Sequence, residues 1–127
     1  MIRNSFLIIG ILSLFYGLVF LLIPNWFIDL TIAENTNIAW LRNIGAAIIG
    51  ILFFGSLIIY TNPPKHLQIL RLITFTSTLQ TLTLIYSRFF NEFSAKNIIV
   101  IDLTIYLAII ISLYLAYLNI FKLNYFQ

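Results

Sequence analysis

Four long apolar runs constrain the fold of this chain more than any other feature. They cover residues 4–23, 43–62, 67–87 and 97–121, and charged residues or prolines bound each of them. A helix of about 20 residues rises about 30 Å, the hydrocarbon thickness of a bilayer. Because a backbone in lipid must bond to itself, such runs predict helices. The sequence therefore predicts an all-α membrane protein, a four-transmembrane-helix antiparallel up-and-down bundle.

One integral membrane domain covering residues 1–127 is predicted. Asn37 can cap the second spanning helix, Pro63 and Pro64 force a turn before the third, and Ser94 can cap the fourth. The first connection alternates apolar and polar residues, which predicts a short interfacial helix. The predicted spanning helices cover about 4–23, 38–62, 65–88 and 95–121, and the interfacial helix covers 25–33.

The composition excludes several classes of function. Hydrophobic residues make up 61% of the chain and charged residues only 9%, against about 25% in soluble domains. The net charge of +3 comes from scattered lysines and arginines, so no basic run could bind nucleic acid. With no cysteine and one histidine, we expect no metal and no cofactor. No catalytic motif is evident, and an enzyme is the least favoured class.

The loops predict an orientation. Four basic residues fall on the side that holds both termini and three on the other side, a weak bias that places both termini in the cytoplasm. Dual topology is the open alternative. We expect a multi-pass protein of the bacterial inner (plasma) membrane, in contact with membrane lipids.

Three charged residues are not explained by a position in the connections between the helices. Arg42, Arg88 and Asp102 all fall at the outer end of the predicted bundle, each within or at the end of a helix. Charges within a membrane usually face the interior and pair with one another, so we predict that Asp102 pairs with Arg88, Arg42 or both. The excess positive charge could bind a lipid headgroup or a small anionic molecule. The alternative is a structural clamp that joins the helices.

The third helix is polar on two faces. Ser77 and Thr81 fall on one stripe and Gln80 on another, which predicts that this helix is the most enclosed and faces a small wet cavity. The alternative is that the hydroxyls bond to their own backbone. The Gln80 amide lies near mid-membrane and cannot be satisfied so locally.

Small residues predict where helices approach closely. Gly10, Ser13 and Gly17 share one face of the first helix, and Ala46 and Gly50 are four residues apart on the second. Ala108, Ser112 and Ala116 form such a stripe on the fourth helix. One of these faces could also mediate a homodimer.

The motifs GLVFLLIPNWF, LRNIGAAIIGILFFG and YSRFF together resemble those of DoxX-like small bacterial membrane proteins of unknown function. The resemblance spans most of the chain and implies a four-helix membrane bundle, but no established reaction. The matching positions are Gly17, Pro24, Arg42, Gly45, Gly50 and Arg88.

Three functions follow as hypotheses. The leading one is a small integral membrane protein with an outer-face site, made of Arg42, Arg88 and Asp102, for a lipid headgroup or small anion. The first alternative is a dimeric transporter or channel subunit that uses the polar face of the third helix, including Ser77 and Gln80. The second is a structural or accessory membrane protein with no ligand.

Overall fold

The computed structural model describes residues 2–33, 37–62 and 67–121, and this part of the chain is almost entirely helical. Four of its helices are long and apolar enough to cross a membrane. A fifth, short helix follows the first span. The five helices are α1 (Ile2–Leu22), α2 (Pro24–Thr31), α3 (Ile38–Thr61), α4 (Leu67–Phe89) and α5 (Ile98–Phe121).

Contacts between the spans confirm the antiparallel bundle. The Arg3 side chain near the start of α1 donates to the Tyr60 carbonyl near the end of α3. At the other end of α1, Arg42 from the start of α3 donates to the Leu21 carbonyl. We call the end that holds residue 2 and residue 121 the terminal end, and the opposite end, which holds α2, the α2 end.

The helix boundaries largely follow local sequence. Asn37 caps α3, because its Oδ1 accepts from the Trp40 backbone N–H at 3.3 Å. Pro24 opens α2, where the missing N–H of a proline does no harm. The prediction that Ser94 caps the last helix is wrong, since α5 begins at Ile98. The predicted turn at Pro63 and Pro64 lies outside the described residues.

A segment of π-helix interrupts α3 at Ile48–Phe53. It divides α3 into a first half, Ile38–Ala47, and a last part, Phe54–Thr61. The first half packs on α1 and α2, whereas the π segment and the last part also pack against α4. The wide turn therefore separates two parts of α3 that have different neighbours.

Glycines set the closest helix approach, between α1 and α3. A Cβ on Gly45 would lie 2.7 Å from the Gly17 carbonyl oxygen, so the two backbones touch here. Gly55 approaches the side chain of Ile73 in α4, which leaves no room for a Cβ there. The prediction that Ala46 and Gly50 form the packing pair of this helix is wrong. Both are exposed, and nothing lies within 4 Å of a Cβ built on Gly50.

Apolar side chains fill the bundle toward the terminal end. This core cluster combines residues from all four spans, and several of its members are fully buried. The prediction that the third spanning helix is the most enclosed is wrong, because 39% of the apolar window of α1 is buried against 22% in α4. The core cluster consists of Phe6, Ile9, Leu52, Ile59, Leu70, Ile73, Leu115 and Leu118.

Candidate functional site

The α2 end contains the predicted pairing of Asp102 with Arg88. Arg88 Nε lies 2.9 Å from Asp102 Oδ1, and the pair joins the end of α4 to the second turn of α5. Both side chains are more than one-third exposed, at 39% and 37%. Water therefore screens the pair, and its contribution to stability is small.

Arg42 does not form the predicted pair with Asp102. Its Nη1 donates instead to the Leu21 carbonyl at 2.8 Å. Pro24 cannot continue the hydrogen bonds of α1, so the last carbonyls of this helix need other donors. A cation also suits the negative end of a helix dipole. Arg42 thus caps α1 from α3, which is a clamp between two helices.

The two connections at the α2 end are joined by backbone hydrogen bonds. Ala33 and Ala95 form an isolated antiparallel bridge, and the Asn97 N–H donates to the Thr31 carbonyl at 2.9 Å. A cavity of about 320 Å³ lies under these connections, and Glu92 contributes to its lining. The α2 end is therefore covered by chain that is tied together, although none of the three charged candidates lines this cavity.

The hydroxyls of α4 bond across to α5. Ser112 Oγ lies 2.8 Å from Ser77 Oγ and 2.7 Å from Thr81 Oγ1. Thr81 also donates to the Ser77 and Ala108 carbonyls. Ser77, Thr81 and Ser112 are all buried, so the predicted stripe faces its neighbour and its hydrogen bonds are satisfied. Thr81 is a packing residue here.

A second cavity, of about 500 Å³, lies deeper, between the α1–α3 pair and the α4–α5 pair; we call it the chamber. All five helices contribute to its walls, and none of the charged residues in the described part of the chain lines it. It shares four lining residues with the cavity above, which are Phe27, Leu41, Phe93 and Ile101. The other residues that line the chamber are Leu12, Ser13, Tyr16, Phe20, Ile44, Ile48, Leu52, Ser77, Leu79, Gln80, Thr83, Leu84, Thr104, Leu107, Ala108 and Ile111.

The two helix pairs pack loosely around the chamber. Neither α1 with α5 nor the first half of α3 with α4 is in close contact, although the rest of α3 packs against α4. We call the second of these places the gap between α3 and α4. Ile44 of α3 and Leu79 of α4 line the chamber, and they are 46% and 54% exposed. Two of the residues that line the chamber are therefore also exposed at the surface of the bundle.

The polar groups of the chamber differ in whether they have partners. Tyr16 and Thr104 bond to each other across α1 and α5 at 3.2 Å, and Thr83 donates to the Leu79 carbonyl. The side chains of Ser13 and Gln80 also line the chamber. Neither has a hydrogen-bond partner among the residues that the structure describes.

The structure separates the predicted site residues into two groups. Ser77 and Gln80 line the chamber, whereas Arg42, Arg88, Asp102 and Thr81 line neither cavity. Sequence reasoning assigned Ser13 to packing alone and did not single out Thr104. The one available signal for Ser13 is its depth in the bundle. It lies as many residues from the end of α1 as Gln80 lies from the end of α4. An anionic ligand at the arginines stays a prediction, as does a homodimer.

No protein-family model, curated protein or solved structure matches this chain. The resemblance to DoxX-like proteins stays a prediction. Its motif residues do have a local physical role, because Gly17 and Gly45 form the closest helix contact and Arg42 caps the helix that Pro24 ends.

Proposed function

We propose that this small integral membrane protein binds a lipophilic molecule in the chamber, taken up from the bilayer through the gap between α3 and α4. The observation that carries the proposal is the chamber itself. Its volume of about 500 Å³ lies within the range of about 300–1,000 Å³ that is typical of ligand sites. Its mostly apolar walls, without a charged residue, suit a hydrocarbon chain.

The position of the gap supports the same ligand class. A solute from water would meet the connected backbone over the α2 end, whereas a lipid chain meets only exposed side chains such as Ile44 and Leu79. The π segment Ile48–Phe53 lies in the wall beside this gap. Segments of π-helix inside longer helices occur frequently at functional sites.

The alternatives receive less support from the geometry. A passage for polar solutes needs polar groups that continue to the terminal end, but the core cluster of Phe6, Leu70 and Leu115 fills that part of the bundle. For an anion site, the two arginines would have to act together, but the structure gives them different partners, because Arg88 Nε donates to Asp102 and Arg42 Nη1 to the Leu21 carbonyl. For the charged residues, the clamp is the better-supported role.

Photolabelling would test the proposal. The protein would be placed in nanodiscs that contain a phosphatidylcholine with a diazirine on its acyl chain, and the labelled residues would be mapped by mass spectrometry. We expect adducts at Phe20, which lines the chamber and is only 8% exposed. Phe75, which is 69% exposed on the lipid side of α4, gives the reference yield.

A matched pair of variants distinguishes the chamber from general lipid contact. Ile48→Trp fills the chamber, and Phe54→Trp adds the same ring to the exposed face of the same helix. The first should lower the Phe20-to-Phe75 yield ratio severalfold, and the second should leave it unchanged. Absence of Phe20 adducts in the wild type, or equal ratios in both variants, would overturn the proposal.

A further inference from the structure

Two unpartnered polar side chains lie at the same depth in the chamber. Ser13 is nine residues from the end of α1 at Leu22, and Gln80 is nine residues from the end of α4 at Phe89. Both helices end at the α2 end, so both residues lie about 14 Å below it, near mid-membrane. Ser13 is only 7% exposed, and its hydroxyl lines the chamber without a partner in the described part of the chain.

The other polar groups of the chamber do not share this property. Tyr16 and Thr104 bond to each other, Ser77 bonds to Ser112, and Thr83 donates to its own helix. A hydroxyl or amide in apolar surroundings without a hydrogen bond is unfavourable, and in native proteins such groups normally have a partner. Ser13 and Gln80 are thus the lining groups that a ligand could satisfy.

We propose that Ser13 and Gln80 bind one uncharged polar group of a single-chain amphiphile, such as a hydroxyl or an ester carbonyl, while its chain fills the apolar part of the chamber. This inference rests on the proposed function and names its substrate class. A serine hydroxyl and a glutamine amide can each donate and accept, so together they suit either group. The lining offers no opposite charge, which excludes an ionised headgroup at this depth.

Competition for a photoreactive probe tests the proposal. A diazirine-bearing hexadecanol labels the protein in nanodiscs, and unlabelled hexadecanol, hexadecane or hexadecyl sulfate competes for the adduct at Phe20. In the wild type, we expect hexadecanol to compete about fivefold to tenfold better than hexadecane, the effect of one or two net hydrogen bonds. Hexadecyl sulfate should compete least.

Substitutions assign the preference to the two side chains. Gln80→Leu and Ser13→Ala keep the approximate size of each side chain but remove its hydrogen-bonding groups. In the double variant, the preference for hexadecanol over hexadecane should fall to about twofold or less. Thr76→Val is the matched control, since it removes a hydroxyl from the same helix at a residue that lines neither cavity. It should keep the wild-type preference.

The outcomes separate this inference from the proposed function. If the lipid probe does not label Phe20, the proposed function fails, and the inference fails with it. If Phe20 is labelled but hexadecane or hexadecyl sulfate competes as well as hexadecanol, only the inference about Ser13 and Gln80 fails. An unchanged preference in the double variant would also overturn it.

Discussion

Toward the terminal end, apolar side chains fill the space between the four spans, whereas toward the α2 end the same spans enclose the chamber. The filled part contains Phe6, Ile73 and Leu115, each with no exposed surface. The chamber part contains specific polar contacts, such as Tyr16 with Thr104 and Arg42 with the Leu21 carbonyl. Lipid competes equally for apolar side chains, so close packing and hydrogen bonds have to hold the spans together. The difference teaches that one bundle can be closely packed at one end and enclose open volume at the other.

Truncating the core should have the largest effect. Leu115→Ala leaves a hole in a fully buried cluster, and we expect the free energy of unfolding to fall by about 2–4 kcal/mol. Leu84→Ala, which removes the same atoms from the chamber wall, should cost about 1 kcal/mol or less, because fewer contacts are lost there. Unfolding of both variants in mixed micelles measures the contrast. Equal losses would show that the two ends do not differ in packing.

Disrupting the backbone contact between α1 and α3 should have the second-largest effect on the free energy of unfolding. Gly45→Ala places a methyl group against the Gly17 carbonyl, and we expect a loss of about 1–3 kcal/mol. Gly50→Ala is the control on the same helix. Because its Cβ meets nothing within 4 Å, stability should stay the same or rise by up to about 1 kcal/mol. A comparable loss from both variants would mean that helix geometry, and not the contact, is responsible.

Buried hydroxyls give a smaller and more selective effect. Ser112 joins α5 to both Ser77 and Thr81, so Ser112→Ala should lower the unfolding free energy by about 1 kcal/mol. Ser56 is fully buried and its Oγ has no hydrogen-bond partner in the described part of the chain. Ser56→Ala should therefore be neutral or stabilising by up to about 1 kcal/mol. A destabilised Ser56→Ala would reveal a partner of this hydroxyl that the structure does not show.

The exposed ion pair should have the smallest effect. A double-mutant cycle with Arg88→Gln and Asp102→Asn measures the coupling between the two side chains, and we expect about 0.5–1 kcal/mol because water screens both. Lipid labelling at Phe20 should not change in either variant. A large drop in labelling would instead indicate that Arg88 and Asp102 take part in binding the ligand.

The sequence was sufficient to predict the architecture because each span is set by local chemistry. The length of each apolar run predicts a membrane-spanning helix. Asn37 and Pro24 set helix boundaries through the hydrogen bonds that they make or lack within a few residues. The start of α5 was misplaced because residues before Ile98 bond to α2, far away in the sequence. Hydrogen bonds between segments that are distant in the sequence cannot be predicted from one apolar run alone.

The site was only partly predictable for a related reason. Periodicity brings Ser77 and Thr81 to one face, and it assigns Gln80 to a different face of α4, but it cannot tell which hydroxyls find partners across the bundle. Ser13 resembled any small packing residue until its neighbours were known. The sequence leaves open whether Arg88, Arg42 or both pair with Asp102, because it does not show that the Leu21 carbonyl accepts from Arg42.

The π segment of α3 has a consequence for how this chain tolerates deletions. Its wider turns accommodate the extra residues between Gly45, which meets α1, and Gly55, which meets α4. Loss of one residue within Ile48–Phe53 would let the wide turn close to an ordinary α-helical turn, and the parts before and after it would keep their relative orientation. Gly45 and Gly55 would then still face the same neighbours. A single-residue deletion should therefore be less harmful in this segment than in the regular turns of α5, where it would rotate the two flanking parts by roughly 100° relative to one another.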